Sequence, residues 1–236
     1  MRTIADLQTQ ISGKYSPDNP GIFAFRERIA DLGATVTFPA SNSIIEYAEG
    51  FAITASHECE VPFAETERAF LASIGTSALH IVYNIWGDEE GYVGESTAVE
   101  TIDAVSHGVP TIWLRQPGRL SPSIGKNLGI FTERLIAHGV WVEPLDQMSD
   151  EAVAASLGSV ANRMTGVHPW TRKRHTFDAE TRVYSYAVEG PEAAHDDGLG
   201  PLFANEYELE LFHDIKRELY EQYDGAWQRY QHGRAG

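Results

Sequence analysis

Cysteine and basic residues are scarce in this chain of 236 residues, and each shortage excludes a class of protein. The single cysteine, Cys59, cannot form an internal disulfide or build a zinc site from thiolates, so nothing requires an oxidising compartment. Eighteen lysines and arginines stand against thirty-four acidic residues, and the resulting charge of −16 repels phosphate backbones and anionic lipid headgroups. We therefore expect neither a nucleic acid nor a membrane as partner.

Long hydrophobic runs are missing as well. No stretch approaches the roughly 20 apolar residues that a membrane span requires, and the N-terminal MRTIADLQTQ lacks the apolar core of a signal peptide. Hydrophobic residues nevertheless make up 42% of the chain, which is enough to bury a core and offset chain entropy. These features predict a folded, cytoplasmic protein.

Familiar phosphate-binding and hydrolytic motifs are also missing. No G-x-G-x-x-G follows a strand, Gly125-Lys126 lacks the flanking residues of a P-loop, and neither G-x-S-x-G nor H-E-x-x-H occurs. The segment 57–60 (HECE) contains metal-capable side chains, but neighbours in an extended segment point to opposite faces. We expect neither a metal nor a cofactor.

Strand and helix patterns alternate over residues 1–145. Strands are predicted at Gln8–Ile11, Thr35–Phe38, Leu79–Tyr83, Thr111–Leu114 and Val140–Val142. Helices are predicted between them, at Pro20–Leu32, Phe63–Ile74, Ala98–His107 and Asn127–His138, whereas Ala40–Pro62 shows no clear pattern. This order predicts an α/β domain with a doubly wound, mostly parallel five-stranded sheet of the flavodoxin or Rossmann type.

Residues 146–236 are interpreted as a helical C-terminal extension. It contains a helix at Ser149–Asn162, a loop at Gly190–Pro201 and a long charged helix at Asn205–Gln231. Apolar residues recur every four positions along the long helix, at Tyr207, Leu211, Ile215, Leu219, Tyr223 and Trp227. This stripe must be buried, either on the same domain or on a partner subunit. The basic cluster 172–175 is either a charged turn paired with that helix or a clamp over a phosphate.

The segment 84–100 carries the strongest functional signal. It lies where an apolar strand ends and a helix begins, which is the crevice where open α/β sheets bind ligands. Gly91 and Gly94 permit close backbone approach, and a helix N-terminus attracts anionic or hydroxyl-rich groups. Two interpretations of Glu100 remain open: Thr97-x-x-Glu100 is a capping box, or Glu100 is a functional carboxylate.

The pattern Gly91-Tyr92-Val93-Gly94-x-Ser96-Thr97-Ala98-x-Glu100, continued by Ala104 and Gly108-x-Pro110, resembles the signature of the nucleoside 2-deoxyribosyltransferase-like superfamily. That superfamily includes nucleotide N-glycosidases. Residues 11–15 (ISGKY) are similar to its first loop, and the resemblance covers about residues 8–143. It implies an enzyme that cleaves the glycosidic bond of a nucleoside or nucleoside 5′-monophosphate, with Glu100 as nucleophile, by hydrolysis or (deoxy)ribosyl transfer.

The resemblance also implies roles for other residues. Tyr15 would steady the Glu100 carboxylate, and Glu95 is the preferred acid for protonating the departing base, because Asn84 stands where the family often has an acidic residue. Substrate contacts would come from Ser12, Gly13, Lys14, Asn84, Gly91, Tyr92, Gly94, Ser96 and Thr97. Neighbouring subunits complete each pocket in that family, which implies a homo-oligomer.

A second function stays open: a nucleotide-binding sensor or interaction module that keeps the crevice without chemistry. Asn84 favours this alternative, and the intact segment 91–100 favours the enzyme. Geometry distinguishes them, because an enzyme needs Glu100 to face open space within reach of a tyrosine hydroxyl. The polar 88–94 loop favours hydrolysis over transfer, although Trp86 and Tyr92 offer rings that could stack a second base.

Overall fold

The computed structural model describes residues 3–38, 44–53, 60–87, 89–117, 132–164, 173–178, 183–188, 202–203 and 206–234. None of the helices within these ranges combines the length and the apolar character needed to cross a membrane.

The strands form one main sheet and three small hairpins. In chain order they are β1 (Gln8–Gly13), β2 (Thr35–Phe38), β3 (Glu46–Ala48), β4 (Phe51–Ile53), β5 (Leu79–Tyr83), β6 (Ile85–Trp86), β7 (Glu89–Glu90), β8 (Thr111–Trp113), β9 (Val140–Val142), β10 (Lys173–Asp178) and β11 (Val183–Val188). The main sheet has the order β2-β1-β5-β8-β9, and every neighbouring pair in it is parallel. The chain therefore reverses its winding direction between β1 and β5, the position where such sheets bind ligands.

Helices cover both faces of the sheet. They are α1 (Pro20–Asp31), α2 (Phe63–Ile74), α3 (Glu95–Ser106), α4 (Thr132–His138), α5 (Asp150–Met164) and α6 (Glu206–Arg234). Strand residues alternate between two cores: Ile81 and Ile112 pack with α1 and α5, whereas Val82 and Trp113 pack with α2, α3, α4 and α6. This alternation confirms the predicted doubly wound α/β fold.

The predicted positions agree closely with the observed strands of the main sheet and with helices α1 and α2. The strands Thr35–Phe38, Leu79–Tyr83 and Val140–Val142 and the helix Phe63–Ile74 have the predicted bounds. The stretch without a clear pattern contains the β3–β4 hairpin, and the predicted 88–94 loop contains β7, which pairs with β6. Residues 173–175 of the basic cluster lie in β10, so the first of its two interpretations, a charged turn, was wrong.

The capping-box interpretation of Thr97 and Glu100 was wrong. Helix α3 begins at Glu95, three residues before the predicted start, and Gly94 is its N-cap residue. Thr97 therefore lies inside the helix, and Glu100 lies too deep in it to close a capping box with Thr97. Glycine makes a good N-cap without a side chain, and Glu95 then places its negative charge in the first turn, where the helix dipole favours it.

The long helix α6 packs on its own chain, against α2. Its buried positions are Leu209, Phe212, Ile215, Leu219, Ala226 and Tyr230, and Tyr207 at the start of the predicted stripe is 68% exposed. A stripe with steps of four drifts around a helix that has 3.6 residues per turn, so the true buried face mixes steps of three and four.

Three predictions fall on residues that the structure does not describe. These are the metal-capable residues 57–59, the loop Gly190–Pro201, and the beginning of the helix predicted at Asn127.

Candidate functional site

A cavity of about 550 Å³ lies at the carboxyl ends of β1 and β5, where the strand order reverses. The loop after β1 and helix α3 line one side of the cavity, which we call its floor. The β3–β4 turn, α2 and α6 form its walls. Of the residues predicted for the site, the following line it: Ser12, Gly13, Lys14, Tyr15, Tyr92, Gly94, Glu95, Ser96, Thr97 and Glu100.

Glu100 is a buried carboxylate at the floor of the cavity. Glu100 is 6% exposed, and its Oε2 atom has no hydrogen-bond partner. Burial raises the pKa of the Glu100 carboxyl from 4.5 to about 7, and a hydrogen bond from the Ser12 side chain opposes that rise. A buried carboxylate oxygen with nothing bound to it is costly to the fold, and such groups concentrate at functional sites.

Glu67 on α2 is the second buried carboxylate of the cavity, and the sequence analysis missed it. It is 9% exposed and its Oε1 atom has no hydrogen-bond partner. Burial, with the charge of Glu100 as a second cause, raises the pKa of Glu67 well above its usual value. A signal was available, since Phe63, Glu67, Leu71 and Ile74 recur at helical spacing on one face and only Glu67 among them is charged.

The Ser12 hydroxyl belongs to a buried polar row on the sheet. Ser12 Oγ lies 2.6 Å from Nε2 of His80 on β5, and Nδ1 of His80 lies 3.3 Å from Oγ1 of Thr111 on β8. His80 and Thr111 are fully buried, and burial lowers the pKa of His80 to about 3. The imidazole is therefore neutral at physiological pH.

Tyr15 lies beside Glu100, but its hydroxyl does not take the predicted role. The hydroxyl donates a hydrogen bond to the carbonyl of Ile11 over 3.2 Å. Burial raises the pKa of Tyr15, and electrostatic repulsion from Glu100 contributes to that rise. The ring packs edge-on against Phe23 at 5.3 Å between centroids.

The C-terminal helix supplies a tyrosine that the sequence analysis did not assign to the site. Tyr223 on α6 lines the cavity, hydrogen-bonds with Ser96 and lies within the electrostatic range of Glu67, Glu95 and Glu100. Burial, with the charge of Glu67 next, raises the pKa of Tyr223, so its hydroxyl keeps its proton. Leu219 and Gln222 of the same helix also line the cavity.

Aromatic rings form the wall beside the first loop. The Nζ atom of Lys14 lies 3.2 Å from the centroid of the Trp86 ring, and the rings of Trp86 and Tyr92 are 5.8 Å apart. Tyr92 is 44% exposed at the rim. Lys14 thus makes a cation–π contact, and the exposed ring surface is suited to stacking a flat heterocycle.

Gly13 is needed for the floor of the cavity. Its φ is +148°, and an added Cβ would lie 2.7 Å from both Ile22 Cδ1 and the carbonyl oxygen of Tyr83. A side chain at this position would separate the ends of β1 and β5. The residue has a structural reason to be glycine besides its predicted contact with a substrate.

Asn84 and Gly91 do not line the cavity. Asn84 is buried and exchanges two hydrogen bonds with the backbone of Arg115, which ties the ends of β5 and β8 together. Gly91 donates its N–H to the carbonyl of Asn84 and has a φ of +80°, as the turn after β7 requires. Both positions are explained by the strand ends that they connect.

Metal-capable side chains do not gather in the described part of the chain, where no group of three or more histidines, cysteines, aspartates or glutamates could hold an ion. Comparisons with protein-family models, with curated proteins and with solved structures find no match for this chain. The geometry of the cavity is therefore the structural evidence for the function.

Proposed function

We propose that the protein is an N-glycosyl enzyme that cleaves the glycosidic bond of a nucleoside or nucleoside 5′-monophosphate through Glu100. The observation that carries the proposal is the unpartnered Oε2 atom of Glu100, held on a rigid helix at the floor of a cavity large enough for such a substrate. The resemblance of residues 91–110 to the deoxyribosyltransferase-like signature supports the same reaction.

The two buried carboxylates divide the chemistry. Glu100 attacks the anomeric carbon of the sugar, a C–O ester bond forms, and the C–N bond breaks with its electron pair leaving on the base. Glu67, whose raised pKa keeps it protonated, donates its proton to the departing base. Water or a second base then attacks the anomeric carbon, Glu67 takes up the released proton, and Glu100 is regenerated.

Placing Glu67 in the acid role changes the meaning of Asn84. Asn84 by itself favours a non-catalytic module, because it stands where an acid is expected and a neutral base leaves poorly without a proton. An acid from α2 removes that objection. A nucleotide-binding module of the same fold remains the competing function.

The experiment is to incubate the protein with a panel of nucleosides and their 5′-monophosphates and to follow the release of free base by chromatography. We expect release from at least one substrate and none with Glu100→Gln. Binding of a panel member without release by the wild-type protein would support the competing function.

A further inference from the structure

We propose that His80 is a positioning residue for Glu100: its Nε2–H donates a hydrogen bond to Ser12, so that the hydroxyl proton of Ser12 is directed to the Glu100 carboxylate. The direction of these hydrogen bonds follows from the contacts of Ser12, His80 and Thr111 together with the hydrogen bond between Ser12 and Glu100. Their effect on catalysis rests on the proposed function.

Each group of the row can donate only a limited number of protons. A serine hydroxyl has one proton, a carboxylate can only accept, and a neutral imidazole has one N–H donor and one acceptor nitrogen. Ser12 contacts both His80 Nε2 and Glu100. If Ser12 donates to the carboxylate, its oxygen must accept from His80, which requires the proton to be on Nε2.

The contact between His80 and Thr111 agrees with a proton on Nε2. With its proton on Nε2, His80 presents Nδ1 as an acceptor, and the Thr111 hydroxyl lies 3.3 Å away to donate to it. The carbonyl of Val109 is the other acceptor within reach of Thr111, at 3.5 Å, and is the more distant of the two. With Glu100 ionised, a single set of proton positions therefore lets Thr111 donate to His80, His80 to Ser12 and Ser12 to Glu100, while Glu100 Oε2 stays without a partner.

Burial keeps the charge of the imidazole constant in the working range, whereas the direction of the hydrogen bonds requires ionised Glu100 and so holds above its pKa of about 7. Ser12, His80 and Thr111 are between 0% and 2% exposed, so water cannot compete for their hydrogen bonds. Because the pKa of His80 is lowered to about 3, the imidazole keeps the same neutral form from mildly acidic to alkaline solution. The opposite tautomer would take the Ser12 proton away from Glu100.

Glu100 also responds to other groups, and the test must separate them from Ser12. The titratable groups that face it from the elements packed around it are Glu67 on α2, Tyr15 after β1 and Tyr223 on α6. None of them is bonded to His80 in the described hydrogen bonds. A substitution at His80 thus acts on Glu100 through Ser12.

The first measurement reads the tautomer directly in the full-length wild-type protein. Long-range ¹H–¹⁵N correlation spectra distinguish a proton on Nε2 from one on Nδ1, and the His80 signals are assigned by their loss in His80→Gln. We expect the Nε2–H form at pH 8.0–8.5, where Glu100 is ionised. An Nδ1–H form or a charged imidazolium in this range would overturn the proposal, whether or not the protein cleaves nucleosides.

The second measurement follows the pKa of Glu100 by ¹³C NMR of labelled glutamate carboxyls, assigned with Glu100→Gln. We expect Ser12→Ala to raise this pKa by about one unit, the scale of one hydrogen bond to a charged group. His80→Leu should also raise it, and His80→Gln should restore much of the wild-type value, since an amide N–H can replace Nε2–H. A fall or no change in His80→Leu would show that His80 had been accepting the Ser12 proton.

A matched control is available on the same sheet. Gln10 on β1 is as buried as Ser12. Its side chain donates to Ser73 and to no residue of the buried polar row. Gln10→Leu should leave the pKa of Glu100 unchanged. If the panel shows cleavage, the acidic limb of its pH profile should move in parallel with the measured pKa. If it shows none, the proposed function fails while the hydrogen-bond assignment is judged by the spectra.

Discussion

Glu67 and Glu100 are buried carboxylates without full hydrogen bonding, and their burial destabilises the fold. Each has one oxygen without a partner, and each has a raised pKa. A folded carboxyl with a raised pKa binds its proton more tightly than the unfolded chain does. Stability therefore falls as pH rises from the unfolded value of about 4.5 to the folded value of about 7, and the full penalty applies above that.

Glu100→Gln should separate activity from stability. We expect it to abolish base release and to raise the free energy of unfolding at pH 8 by up to about 3 kcal/mol, with little change at pH 4. Urea denaturation at the two pH values measures the difference. A variant that is less stable than wild type at pH 8 would indicate that Glu100 has a structural role.

Glu67→Gln should remove one limb of the pH profile. The wild-type kcat/KM is expected to rise as Glu100 loses its proton near pH 7 and to fall as Glu67 loses its own. Without the acid, the falling limb disappears and the rate drops about 10²–10⁴-fold. Glu95→Gln is the matched comparison. If it removes the falling limb instead, Glu95 is the acid, as the sequence predicts.

At the scale of elements, α6 is the part of the structure that changes the picture most. It packs on α2, and its second half holds the β3–β4 hairpin through Arg229–Glu49 at 2.8 Å and Tyr230–Glu46 at 2.7 Å. Phe51 of the hairpin contacts Tyr223 edge-on at 4.7 Å. The helix thus positions the hairpin and contributes its own residues to the cavity.

The register of α6 can be tested by two truncations. Phe212→Ala removes a side chain that is 3% exposed and should lower the free energy of unfolding by about 3–5 kcal/mol. Tyr207→Ala alters a residue of the predicted stripe that is 68% exposed and should cost less than about 0.5 kcal/mol. Denaturant titrations compare them. Equal losses would contradict the observed packing.

The sequence was sufficient for the sheet and for the floor of the site. Buried strands such as Leu79–Tyr83 are nearly continuous apolar runs, and segment 84–100 follows one of them directly, so local pattern located both. Glu67 and Tyr223 could not be placed in the same way. They reach the cavity only because α2 and α6 pack together, and such long-range contacts leave no local trace.

At the scale of the whole molecule, the excess of negative charge continues into the cavity. Glu49, Glu67, Glu95 and Glu100 line it, and Lys14 is the one cationic side chain among the described lining residues. Because Glu67 keeps its proton, a 5′-phosphate would approach the like charges of Glu49, Glu95 and ionised Glu100, whereas a free 5′-hydroxyl would bring no charge. The negative charge of the cavity therefore favours binding of the nucleoside over binding of its 5′-monophosphate.

We predict that a nucleoside binds on the order of tenfold more tightly than its 5′-monophosphate at low salt, a difference of about 1.4 kcal/mol. Calorimetric titration of Glu100→Gln measures both without turnover. The ratio should shrink in 0.5 M NaCl and in Glu95→Gln, but not in Glu89→Gln, whose exposed carboxylate lies outside the cavity lining. Tighter binding of the monophosphate would refute this prediction.

Homo-oligomerisation stays a prediction, checked by light scattering at micromolar concentration. The predicted stripe is largely buried within the chain, because Ile215 and Leu219 lie on the face of α6 that packs into the core. A dimer would have to use other residues.

The closure of the cavity by α6 has a consequence for how the protein comes to work during synthesis. Contacts that link the helix to the hairpin span 180 and 184 residues, so they are made only after nearly all of the described chain has left the ribosome. Non-local contacts of this kind form late in folding. A nascent chain can thus contain every strand of the parallel sheet and Glu100 while still lacking the α6 residues that line the cavity, and a chain cut before Leu219 would lack all three of them, Leu219, Gln222 and Tyr223.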